Sequence, residues 1–167
     1  MVSDAVALQQ LKEDALPKTL FKIANNGVLP VWILMAIAPD WQYTFNVVLA
    51  MVSFMAMINV FGIVELFRKT KAKNDEKDAF REDKVHFYSL RGAVTLFRTA
   101  PIRLVLAGWM HFLVFDMLVG HGMAVDAVEQ GIPRILVAPC LFITMWIGPS
   151  GVVLYCILRT IYPLIFQ

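Results

Sequence analysis

Apolar positions in this chain gather into four long runs, separated by short polar breaks and one long charged connector. Lys22 and Asp40 bracket the first run, and Asp40 and Glu65 the second. Arg103 opens the third, which stays apolar to about Gly120 with Asp116 inside it; Arg134 and Arg159 bracket the fourth. A helix that crosses a bilayer needs about 20 apolar residues, each rising about 1.5 Å. The pattern predicts an all-α integral membrane protein with four transmembrane helices, over about residues 23–39, 44–66, 102–121 and 134–159, in one membrane domain of residues 1–167. Asn25, Asn26 and Pro30 predict a kinked or irregular first helix. Gly148, Pro149 and Gly151 predict a kink in the fourth.

The connector, residues 68–101, has two parts. RKTKAKNDEKDAFREDK is a mixed-charge, solvated run, and His86 just beyond it is expected to be solvated too. In SLRGAVTLFRTAP, Leu90, Ala93, Val94 and Phe97 share a helical stripe while Arg91 and Arg98 lie off it. Ser89 is placed to cap that helix and Pro101 to end it. The stripe fits a short amphipathic helix at the membrane interface, and equally one packed on the bundle.

Charge placement sets the orientation. Lys12, Lys18 and Lys22 precede the first run, ten Lys or Arg lie from Arg68 to Arg103, and Arg159 follows the fourth; Arg134 alone falls on the other side. Four helices with both termini on the basic side satisfy the positive-inside rule. That side would be the stroma in a plastid and the cytoplasm in a bacterium. Dropping the third helix would break the pattern, which is why the run containing Asp116 is read as a span.

Composition agrees with a lipid environment. The chain is 59% apolar and only 17% charged, against roughly 45–50% and 25% in soluble domains. Its mean hydropathy is +0.65. The two cysteines, Cys140 and Cys156, are read as small core residues without a disulfide or metal spacing. The N-terminal segment lacks the short apolar core of a signal peptide. No phosphate loop, dinucleotide fingerprint, zinc spacing or nucleophile elbow occurs, and nothing points to nucleic acid.

The chemistry concentrates in GWMHFLVFDMLVGHGM, Gly108–Met123, which carries His111, Asp116 and His121. A carboxyl within the bilayer costs about 2.5–3.5 kcal/mol on insertion scales, so Asp116 is expected to face protein, a cavity or a partner. His111 and Asp116 lie about 140° apart around a helix, which argues against a close pair on one face. Three readings stand: proton transfer on a lipid-soluble substrate, ligation of a chlorophyll magnesium by His111 or His121, or hydrogen bonds between helices. A bis-histidine haem is not expected. Asn59 is placed to reach the third helix, and Glu65 to pair with Arg68 or Lys69. Gly148, Ser150 and Gly151 would admit a close helix or a flat ring, and Trp32, Trp41, Trp109 and Trp146 offer apolar planes.

LPVWILMAIAPDW, SLRGAVTLF, AGWMHFLVFDMLVGHGM and IGPSGVVLYCILR occur in this order. In these segments the chain resembles the abscisic-acid-deficient-four-like family of small plastid and cyanobacterial membrane proteins, over about residues 20–160. Trp109, His111, Asp116, Gly120, Gly148, Pro149 and Gly151 carry the likeness. It implies a four-helix thylakoid protein needed to form neoxanthin from violaxanthin, an epoxide-to-allene isomerisation. In that scheme a protonated Asp116 serves the epoxide oxygen and His111 takes the departing proton. The candidate pigment-binding residues are Trp109, His111, His121, Trp146, Gly148, Pro149 and Gly151, for a carotenoid, with His111 or His121 as the candidate ligand of a chlorophyll magnesium. The chain departs from the pattern at Phe112, where a Tyr is usual, and at His121-Gly122, where Arg-Trp is usual. The alternative is a non-catalytic subunit that binds pigment between a photosystem core and light-harvesting antenna proteins.

Overall fold

A computed structural model of the chain describes residues 15–73, 100 and 102–166. The expected interfacial helix lies outside the described residues. Among them there are five helices: α1 (Ala15–Ile37), α2 (Thr44–Lys73), α3 (Ile102–Glu129), α4 (Arg134–Ile147) and α5 (Pro149–Phe166). The all-helical expectation is met. Helices α1, α2 and α3 are long and apolar enough to cross a membrane, and between 22% and 28% of their apolar windows is buried inside the protein. Most of that apolar surface therefore needs lipid or a partner to cover it.

Helix α1 covers Ala15–Ile37 and continues through Asn25, Asn26 and Pro30. One expectation changes. Residues 134–159 do not form one kinked helix. They divide at Gly148 into α4 and α5, whose 14 and 18 residues correspond to about 21 and 27 Å. Pro149 is the first residue of α5, where its missing N–H costs nothing and its fixed φ suits a helix start. It begins a helix rather than bending one.

The chain forms two compact units, Met1–Lys22 with Met57–Met110 and Ile23–Ala56 with His111–Gln167. In the first, α2 and α3 approach at Gly62, where a Cβ would lie 3.4 Å from both the Ala107 Cβ and the Arg103 carbonyl oxygen. Asn59 Nδ2 donates to the Ala107 carbonyl at 2.6 Å, the link to the third helix that its position predicts. The Phe21 and Trp109 rings lie 5.6 Å apart.

In the second unit, Ala24, Val28, Val31, Trp32 and Met35 form the buried face of α1. Trp32 lies where a Cβ on Gly120 would sit, 2.5 Å from its ring, so only glycine leaves room for the indole. Helix α3 continues past the expected 121 to Glu129. It ends on Gly131 at φ +66°, with Gly131 N–H on the Val128 carbonyl and Ile132 N–H on the Ala127 carbonyl. This is the left-handed glycine cap that satisfies final helix carbonyls. Arg134, opening α4, donates to the Ile37 carbonyl that ends α1 and to both Asp40 carboxylate oxygens, all at 2.7 Å.

Helices α4 and α5 pack directly on each other. The chain reverses at Gly148, whose φ of +49° an L side chain rarely adopts. A Cβ on Gly151 would collide with Thr144 Oγ1, the Thr144 nitrogen and the Cys140 carbonyl oxygen, so α5 lies with bare backbone on the backbone of α4. Thr144 turns its hydroxyl back to the Cys140 carbonyl at 2.8 Å and is fully buried. Gly151→Val is expected to destabilise the detergent-solubilised protein by about 3 kcal/mol or more through overpacking. Gly108→Ala, where a Cβ meets nothing within 4 Å, is expected to be neutral or to stabilise by up to about 1 kcal/mol. Thermal unfolding of the two variants checks both.

Candidate functional site

Asp116 lies in the middle of α3, on the face that meets the reversal between α4 and α5. A Cβ on Gly148 would sit 2.9 Å from Asp116 Oδ1. Glycine at 148 thus meets two demands: a left-handed backbone angle and room for a carboxyl. Asp116 is half-buried. Gly148 and Gly151 are buried while Pro149 and Ser150 are exposed. The two most distinctive stretches of the sequence, around Asp116 and around Gly148-Pro149-Ser150-Gly151, are therefore one place in the structure.

His111 has different surroundings. It is exposed on α3, its ring 4.5 Å from Phe115 and 6.2 Å from Phe112. Five residues along a helix turn it about 140° from Asp116. His121, half-buried, faces Phe45 at 5.5 Å, and its Nδ1 is buried with no hydrogen-bond partner among the described residues. A metal-bound histidine almost always donates its second ring N–H to an acceptor. Among the described residues His121 Nδ1 meets no acceptor of that kind. Among the described residues no cluster of His, Cys, Asp and Glu could hold a metal ion. Trp146 is exposed beside Phe142, at 6.3 Å, and Trp109 is exposed near Phe21. Cys140 is buried and Cys156 exposed, both as free thiols.

A second polar cluster escaped the sequence reading. Asp126, ten residues beyond Asp116, accepts hydrogen bonds from Tyr155 Oη at 2.5 Å and Arg159 Nε at 2.7 Å. Tyr155 and Arg159 are one helical turn apart on α5, so both reach the same carboxylate. The i, i+4 spacing was visible in the sequence. Nothing there revealed that α5 turns back to meet α3.

The fold and the site together define a class: an all-helical protein with membrane-length apolar helices and a carboxyl set against a helix reversal. The particular family follows from comparison with known proteins. The ABA DEFICIENT 4-like family model matches residues 19–155, most of the chain, and the protein belongs to that family. No curated protein and no solved structure matches it. The match takes in Asp116, His111, Gly148 and Gly151 and ends at Tyr155, four residues before Arg159.

If Gly148 is glycine partly for the sake of Asp116, the two positions must be coupled. Gly148→Ala is expected to cost about 2–3 kcal/mol, combining left-handed strain with the clash. In an Asp116→Ala background the clash is absent and the same change should cost about 1 kcal/mol less. A double-mutant cycle read by thermal or denaturant unfolding measures that difference.

Proposed function

We propose that this chain is a xanthophyll-handling protein of the thylakoid membrane, and that Asp116 is the group that meets the oxygen function of its ligand. The observation that carries this reading is the meeting of Asp116 with Gly148 inside the family match. An ionisable group within a membrane helix is a functional-site hypothesis by default, because its insertion cost needs a compensating role. The exposed apolar and aromatic surface of the helices suits a long polyene.

For an isomerisation of a 5,6-epoxide to an allene, the balance is simple. The C–O bond at the polyene end opens, a C–H bond on the adjoining chain carbon breaks, and its electron pair forms the new cumulated double bond. The oxygen stays on the other ring carbon as a hydroxyl, so one proton is relocated and nothing is oxidised or reduced. Protonated Asp116 gives its proton to the opening oxygen and, as the carboxylate, recovers the proton that leaves the chain carbon. His111 faces Phe112 and Phe115 rather than the reversal, and we assign it no part in that step.

The test is purified protein in liposomes containing violaxanthin, with pigments analysed by chromatography. Asp116→Asn should lower neoxanthin formation by about a hundredfold or more while leaving co-purified carotenoid unchanged. His111→Ala should stay within tenfold of the parent. Full conversion by Asp116→Asn would remove the acid assignment. Tight carotenoid with no conversion by the parent protein would leave a pigment-binding subunit, and stoichiometric chlorophyll would point to an antenna-linked role.

A further inference from the structure

We propose that α4 and α5 form a re-entrant hairpin, entering the membrane from the face at which α3 ends and leaving by that same face. The chain then has three complete spans, α1, α2 and α3, rather than four. The α3–α4 turn and the end of α5 share one side of the bilayer.

Length comes first. The hydrocarbon core is about 30 Å thick, and α4, at 14 residues, reaches only about 21 Å. A crossing would need α5 to carry on in the same direction. It does not, because Gly151 rests on Thr144 and Cys140, about one and two turns back along α4 from its end. Helix α5 therefore retraces the path of α4.

The far end of α5 says the same. Arg159 lies eleven residues past Gly148, a rise of about 16 Å. Continued outward, that rise would carry Arg159 away from the α3–α4 turn. Instead Arg159 and Tyr155 bind Asp126, whose own carbonyl accepts Gln130 N–H at that turn. Going back along α3 from Asp126 to Asp116 covers about 15 Å, and Asp116 is where Gly148 sits. The two paths agree to within a residue, so α5 runs alongside α3 from mid-depth back to the surface.

The reversal is covered by protein in part, Gly148 and Gly151 being buried and Pro149 and Ser150 exposed. Irregular backbone at membrane depth is tolerated only where protein covers it and its polar groups are satisfied. Gly148 is buried and its N–H bonds the Thr144 carbonyl at 2.8 Å. Pro149 has no N–H, and Gly151 N–H bonds the Gly148 carbonyl at 3.1 Å.

Charge does not oppose this topology. Seven of the nine Lys and Arg among the described residues still lie on the side where α1 starts, α2 ends and α3 starts. The two that do not, Arg134 and Arg159, are each engaged by a carboxylate, Asp40 and Asp126. The inference concerns topology alone and holds whatever the ligand of Asp116 is.

The test uses the full chain in sealed, oriented membrane vesicles. Single cysteines are introduced by Gln130→Cys, by Lys73→Cys and by appending one residue after Gln167, in a Cys140→Ser/Cys156→Ser background. A membrane-impermeant maleimide should label the Gln130→Cys variant and the appended cysteine from one face, and the Lys73→Cys variant from the opposite face only. Labelling of the appended cysteine from the face that labels Lys73→Cys would overturn the hairpin and restore four spans. The same question is asked of the otherwise unaltered chain with a protease site appended after Gln167. Cleavage only from the face that labels Gln130→Cys supports the hairpin, and cleavage only from the other face overturns it.

Discussion

One close approach organises residues 111–166: the backbone of α5 at Gly151 pressed on the backbone of α4 at Cys140 and Thr144. Any side chain at 151 would hold the two helices apart. With them apart, Gly148 would lose its place beside Asp116, and Tyr155 and Arg159 would lose their reach to Asp126. Small residues have this weight in a membrane because lipid tails compete well for ordinary apolar surface. Association then rests on close packing and on polar links between helices.

Polar contacts add direction to that packing. Arg134 ties the start of α4 to the end of α1 and to Asp40, while Asp126 ties the end of α3 to α5. Both ion pairs are partly exposed, and pairs of that kind contribute modestly to stability. Their effect is to fix which helix ends lie together. Asp116 differs in kind. It has the Gly148 position beside it, where a Cβ would meet its carboxyl. That makes Asp116, rather than His111, the centre of the functional reading, and it separates two residues that a shared family signature had placed together.

Much of the fold was legible before the structure. Long charge-free runs reported the three membrane-length helices, because apolar residues of that length have no other stable solvent. Asn59 reported its own partner helix, since a half-buried amide in an apolar membrane stretch seeks an acceptor. Helix α3 outlasts the span expected to end near residue 121; Asp126 stays helical and finds Tyr155 and Arg159.

By itself the sequence determined the helical class, the apolar lengths, the family and the presence of one costly carboxyl, all of which follow from local composition and order. Only the tertiary structure decided what Gly148-Pro149-Ser150-Gly151 does. A proline after a glycine in an apolar run has two physical outcomes: a bend in one helix, or the first residue of a second helix. Local propensity does not choose between them. The choice was made by residues far along the chain, by the Cys140 carbonyl that receives Gly151, the Asp116 carboxyl that needs Gly148 bare, and the Asp126 carboxylate that draws Arg159 back.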